Sequence, residues 1–198
     1  MKSKRRFLTL FVSAVALLVI HAEAFAQSEP TEPTYEVSLH VVIGSNSPGR
    51  SALPTNLSAI SSQIKSNFQF ENYQLANTFL SRFSNTGNIE YKSVSNILGQ
   101  ETDGELPTFL DWSFGNVRAT QNGFQARTFR FGVRIPVRTA ASRDDKGNVI
   151  PVLNYEGVGL TVHLLGLPLD KPALIGTISL PKTTGTIFLI ATIKRVQG

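Results

Sequence analysis

Cysteine is missing from this 198-residue chain, and histidine (three), methionine (one) and tryptophan (one) are scarce. Without a thiol there is no disulfide, no thiolate metal site, no cysteine nucleophile and no lipidated amino-terminal Cys. Charge is also sparse, at 17% Asp, Glu, Lys and Arg against 41% hydrophobic residues. That hydrophobic fraction is too high and too evenly spread for a disordered chain, while a mean hydropathy of +0.01 excludes a protein of several membrane spans. The length suits one globular domain.

What is present begins with an export signal. Lys2, Lys4, Arg5 and Arg6 precede an uncharged, mostly apolar run over residues 7–20, and Ala24-Phe25-Ala26 stands ahead of Gln27. A basic start, a short apolar run and a small-x-small site read as a secretory signal peptide over residues 1–26. A spanning helix needs roughly 20 apolar residues, so an uncleaved anchor is the weaker alternative. Cleavage at Ala26/Gln27 leaves 172 of the 198 residues and removes four of the 19 basic and one of the 14 acidic ones, so the net charge falls from +5 to +2. The sequence pI near 9.7 therefore owes much to the signal and is a poor argument for nucleic acid. Any anion site must rest on local clustering.

Residues 27–34 (QSEPTEPT) carry two prolines and no apolar periodicity, which predicts a flexible tether ahead of a single β-rich domain over 35–198. Val37, Leu39, Val41 and Ile43 alternate with Glu36, Ser38, His40 and Val42, the period of a strand with one buried face. After the break at residues 44–49, Leu57, Ile60, Ile64 and Phe68 recur at helical spacing, with Thr55 or Asn56 as caps behind Pro54. Strand-like runs follow at 72–83, 89–97, 109–119, 124–138, 155–165, 174–180 and 186–196. Asn85-Thr86-Gly87, Gln121-Asn122-Gly123 and the stretch from Asp145 to Asn148 supply hairpin-type turns. The expectation is an α+β, β-rich fold: an initial β-α-β unit with one amphipathic helix, then a mainly antiparallel meander. Its sheet packs one face on the helix or on a second sheet. No repeat of fixed period and no second-domain linker is visible.

Several motifs invite chemistry. Gly44-x-x-x-x-Gly49-Arg50-Ser51 differs from the phosphate-cradling P-loop by one residue, with Arg in place of Lys. Pro54 delays the helix and no metal-binding Asp ends an apolar strand, so a plain strand-to-helix loop is the better reading. Ser62-x-x-Lys65 and Lys182-Thr183-Thr184-Gly185 echo the signatures of exported penicillin-recognising enzymes. The second carries an extra threonine, no Ser-Asp-Asn accompanies it, and Ser179-x-x-Lys182 fits equally well. His40 and His163 both fall opposite the apolar set of their strands and read as solvated. Glu101, Asp103 and Glu105 lack the ordered ligand series of a calcium hand and read as a solvated turn. No catalytic residue, metal ligand or cofactor is therefore assigned.

The strongest cluster is Arg127-Thr128-Phe129-Arg130-Phe131-Gly132-Val133-Arg134-Ile135-Pro136-Val137-Arg138. If Phe129, Phe131, Val133, Ile135 and Val137 face the core, Arg130, Arg134 and Arg138 share the outer face, spaced about 13 Å apart. Such a stripe can bind phosphates, acidic glycans or lipid head groups through bidentate contacts, pair with acids on neighbouring strands, or simply protect a sheet edge.

Pro172-Ala173-Leu174-Ile175-Gly176, followed by the apolar strand from Thr186 to Lys194, resembles the closing segment of outer-membrane secretins over roughly 25 residues. Nothing upstream repeats the secretin channel pattern. The resemblance implies an envelope assembly. The expected function is an exported, non-catalytic binding or assembly module of the cell envelope, periplasmic or secreted. Its partner would be an envelope protein or acidic envelope polymer, with no nucleic acid and no integral span in the mature chain. The alternative is an exported hydrolase of polysaccharide or peptide, drawing on Glu101, Asp103, Glu105, Asp111 or Glu156 as acid and base.

Overall fold

In the computed structural model the described residues are 33–48, 53–95, 107–143, 145–147, 149–180 and 185–196, with backbone alone at Ser95, Arg138, Pro151 and Leu153. The expected signal peptide at 1–26, nearly all of the expected tether at 27–34, and residues 101–105 lie outside them. Eight strands and one helix follow in order: β1 (Thr34–Ser45), a 3-10 turn (Thr55–Leu57), α1 (Ser58–Asn67), β2 (Asn72–Phe83), β3 (Thr86–Ser95), β4 (Thr108–Thr120), β5 (Gly123–Arg143), β6 (Val149–Pro168), β7 (Ala173–Ser179) and β8 (Thr186–Val196). The described residues thus form a largely antiparallel β fold with one short helix. No described helix is long and apolar enough to cross a membrane.

The strands form two sheets of four, in the orders β2-β1-β8-β7 and β3-β4-β5-β6, and every ladder between named strands is antiparallel. The second sheet is a simple meander. The first is assembled from both ends of the domain, with β1 between β2 and β8. Although α1 joins β1 to β2, those two strands pair antiparallel, Tyr35 opposite Phe83, so the first unit is not a parallel crossover. Asn85-Thr86-Gly87 does not close a hairpin either, because β2 and β3 belong to different sheets and the turn carries the chain across. Gln121-Asn122 and the turn containing Gly147, at φ +83°, do close the β4–β5 and β5–β6 hairpins.

One apolar cluster draws on both sheets: Val37, Leu39 and Val41 of β1, Ile187, Leu189 and Ile193 of β8, Leu110, Trp112 and Phe114 of β4, and Phe129, Phe131 and Val133 of β5. The other face of the first sheet is apolar too. There Val42, Tyr73, Phe188 and Ile190 gather with Leu57, Ile60 and Ile64 from the helical segment. The helical spacing of the sequence thus marks the buried face of α1. Its caps differ from expectation: Leu57 is the N-cap residue and no side chain caps the helix. The 3-10 turn brings the chain into the helix and places Thr55 and Asn56 upstream of the cap.

β5 and β6 run on past Arg134, which is the last residue of β5 to pair with β4. Residues 135–143 and 149–156 continue as a two-stranded ribbon with a bulge between Arg138 and Ala140. Val149, Ile150, Val152 and Tyr155 are exposed on it.

Candidate functional site

The second sheet presents its outer face to solvent, and the arginines of the sequence cluster lie there. Arg130 is exposed between Ser113 and Thr161, and Arg134 is exposed between Phe109 and Gly157. Arg138 sits opposite Leu153 on the same backbone face, within an unbroken register from Thr128. The Arg134 guanidinium lies over the Phe109 ring, 5.0 Å from its centroid, and Phe109 packs against Tyr155 at 5.4 Å. The Tyr155 hydroxyl donates to the Pro107 carbonyl at 3.1 Å, which fixes this aromatic support.

Acidic partners could neutralise the stripe, but the single ion pair among the described residues is Arg82–Glu36, at 3.3 Å on the first sheet. Asp111 lies between the rows of Arg130 and Arg134, with its carboxylate against Gly132, where an added Cβ would meet Oδ1 at 3.0 Å. It makes no salt bridge to either arginine. Glu156 is opposite Ile135, on the other face of the ribbon from that row. Of the five carboxylates of the hydrolase alternative, the two described ones therefore occupy different faces, and the other three lie outside the described residues.

Two further cations were missed in the sequence. Along β4, Leu110, Trp112 and Phe114 are buried at even positions, but Val117 is next. Along β5, Phe124 and Ala126 are buried at even positions, then Phe129, Phe131 and Val133 at odd ones. On β6, packing against the core passes from Val162 to Leu165 and Leu167. Three adjacent strands thus exchange faces on one row without any shift in their mutual register. At this crease Asn116 has φ +50° and Leu164 φ +57°, left-handed backbone that side chains other than Gly seldom adopt. The Asn116 N–H donates to Asn88 Oδ1 at 2.7 Å, replacing its ladder bond.

Uniform period-two counting puts Arg127 in the core; the crease instead leaves it exposed. Asn116, Arg118, Gln125, Arg127 and Leu164 surround a cavity of about 220 Å³. Arg118 donates through Nε (2.9 Å) and Nη2 to Gln125 Oε1. The signal available in sequence was Arg127 itself, a charge at a core parity position between Ala126 and Phe129.

His40 corrects another expectation. It is buried, not solvated, because the outer face of β1 lies in a covered part of the first sheet; its neighbours across the ladders are Thr78 and Ile190. His40 Nδ1 hydrogen-bonds Thr78 Oγ1 at 2.9 Å, and Nε2 has no partner among the described residues. Burial, aided by the charge of Lys194, lowers its pKa from the ordinary value. His163 is exposed, as expected. Ser62 and Lys65 are exposed on α1: Ser62 Oγ donates to Ser58 O at 3.3 Å, and Lys65 Nζ is over the Tyr73 ring, so the two do not form a nucleophile–base pair. Gly49, Arg50, Ser51 and Lys182 fall outside the described residues.

No protein-family description and no curated protein matches the chain. Among solved structures, the chain is similar to the Salmonella SPI-1 type III secretion injectisome secretin InvG, at 13% identity and a TM-score of 0.26 over 94% of this chain and 70% of that one. It has the same identity and TM-score against InvG in the basal body with PrgH and PrgK, spanning half of that chain. The open-gate InvG structure gives 12% and 0.26, over 94% of this chain and 66% of the other. At this TM-score the likeness carries no argument about function.

Proposed function

We propose that this chain is an exported, non-catalytic module of the cell envelope that binds an acidic partner, protein or polymer, on the outer face of its second sheet. The observation that supports this reading is the stripe itself: Arg130 and Arg134 are exposed on one face, and among the described residues neither has a carboxylate within salt-bridge distance. Exposed guanidinium groups are weakly hydrated, planar donors suited to bidentate contacts with carboxylates and phosphates. The Phe109–Tyr155 support under Arg134 restricts its side chain before a partner arrives, which lowers the entropy lost on binding. By backbone register Arg138 continues the same row onto the ribbon. The shared core supports reading the two sheets as a sandwich that carries α1 on the back of the first sheet, away from this surface. Signal cleavage after Ala26 would deliver the domain to the periplasm or beyond, and intact mass of the exported protein checks that boundary.

The test is the triple substitution Arg130→Gln, Arg134→Gln and Arg138→Gln in the full chain. Binding to an acidic envelope polymer, measured at two salt concentrations, is expected to disappear along with its salt dependence. Each exposed substitution should change stability by only about 0.5 kcal/mol. Unchanged, salt-independent binding by the triple variant removes the stripe from consideration as the binding surface.

A further inference from the structure

The crease cavity is separate from the stripe in its residues. Arg118 stands directly across the ladder from Gln125, and Arg127 is two positions further along β5, diagonal to Arg118. Diagonal neighbours on a sheet are about 7–8 Å apart, close enough for long side chains to meet. Two like charges held this close repel unless something negative joins them. Among the described residues no carboxylate does: the row beside the cavity holds Gly115, Thr128 and His163, Asn88 takes the Asn116 N–H, and no ion pair reaches Arg118 or Arg127. Gln125 is neutral and takes two donors of Arg118 on a single oxygen, which orients that guanidinium and leaves its remaining N–H groups available. Arg127 has no hydrogen-bond or ion-pair partner among the described residues.

The enclosure is equally specific. Asn116 and Leu164 line the cavity from opposite sides, and both hold left-handed backbone conformations. For Leu164 that conformation is costly, and the side chain it displays is 72% exposed. Strained residues cluster where a fold is held ready for a ligand. A volume of about 220 Å³ is more than a bare ion needs and less than a typical drug-sized pocket offers. A carboxylate keeps its two oxygens in one plane; the oxygens of a tetrahedral phosphate do not share a plane with the rest of the group, so two guanidinium forks can reach it from different directions at once.

We infer that the cavity bounded by Asn116, Arg118, Gln125, Arg127 and Leu164 is a binding site for a phosphate group carried on a small organic body. Arg118 and Arg127 grip the phosphate oxygens, the side-chain amide of Asn116 is a further donor, and Leu164 covers the attached carbon chain. The group could come from a free phosphate compound, with three or more terminal oxygens, or from a phospholipid headgroup, whose diester has two; both are tetrahedral phosphates that accept from guanidinium groups.

The test uses the full chain labelled with ¹⁵N at arginine, titrated with inorganic phosphate and separately with glycerophosphoglycerol, the soluble headgroup of phosphatidylglycerol, at constant ionic strength against chloride. The expected result is a saturable shift of the Arg118 and Arg127 Nε–Hε signals with at least one probe. Affinity should fall at least tenfold in Arg127→Lys, which keeps the charge and loses the fork. The response should vanish in the double variant Arg118→Gln/Arg127→Gln and persist in Arg130→Gln/Arg134→Gln. Tighter binding of inorganic phosphate identifies a free compound as the source, and tighter binding of the diester identifies a headgroup. No saturable shift with either probe overturns the inference, as does a response that survives the Arg118/Arg127 double variant or is lost with the stripe. Arg127→Lys keeps the experiment decisive if the double variant does not fold. Because both pairs are read in one titration, this site and the acidic-partner surface can fail independently.

Discussion

The two sheets have the same number of strands and opposite habits toward water. In the first, β1 and β8 are buried on both faces: β8 is buried continuously from Ile187 to Ile193, with odd positions in the shared core and Phe188 and Ile190 under the helix. In the second, β4 and β5 bury alternate side chains on either side of the crease and hand the rest, Arg130 and Arg134 among them, to solvent. A sheet covered on both sides has nowhere to put charge, and one covered on a single side must put charge outside. The lesson is a division of labour: the first sheet anchors the fold and the second offers a surface.

Four measurements put this contrast to the test. Phe188→Ala removes a fully buried ring on the helix side of β8 and should cost about 3–5 kcal/mol in a denaturant melt. A loss below about 1 kcal/mol, in the range of an exposed site, would mean that the helix layer is not part of the folding unit. Gly44→Ala should cost about 1–3 kcal/mol by overpacking, since a Cβ there would lie 2.7 Å from Phe70 and 2.8 Å from Phe188.

His40 makes the covered face pH-sensitive. Its folded-state pKa is lowered, first by burial and then by Lys194, so the unfolded chain takes up the proton more readily. Stability from this residue is complete above about pH 6.5 and declines as pH falls toward the folded pKa, by at most about 1.4 kcal/mol per pH unit. His40→Asn should remove that slope, and an unchanged pH profile of the melt would refute it. The smallest effect belongs to the crease: Leu164→Gly relieves a left-handed conformation at an exposed site and should raise stability by about 0.5 kcal/mol.

Period and turn chemistry revealed much of this. The limits of β2 and β8 coincide with the sequence runs at 72–83 and 186–196, because uninterrupted apolar or alternating patterns are bounded there by turn residues. The buried face of α1 followed from helical spacing at Leu57, Ile60 and Ile64. What could not be read has identifiable causes. β5 and β6 extend well beyond the expected 124–138 and 155–165, since the ribbon is held by its own ladder and needs no apolar alternation. His40 looked solvated because strand period sorts faces and does not say that the second face is also covered. The candidate surface was legible at Arg130 and Arg134, where parity is regular, and illegible at Arg118 and Arg127. There three strands change parity together, and that agreement exists only in the assembled sheet.

The ribbon beyond Arg134 has a kinetic consequence. Among the described residues its two strands pair only with each other, while the same strands nearer the core have β4 on one flank. A lone pair of strands is marginal in water. Amides near the Gly147 turn should therefore exchange with solvent by unzipping from the tip, at a free energy far below that of global opening, while those of β4 report the whole domain. One continuous hairpin spans both regimes: its base keeps time with the core, and its tip follows a faster clock of its own.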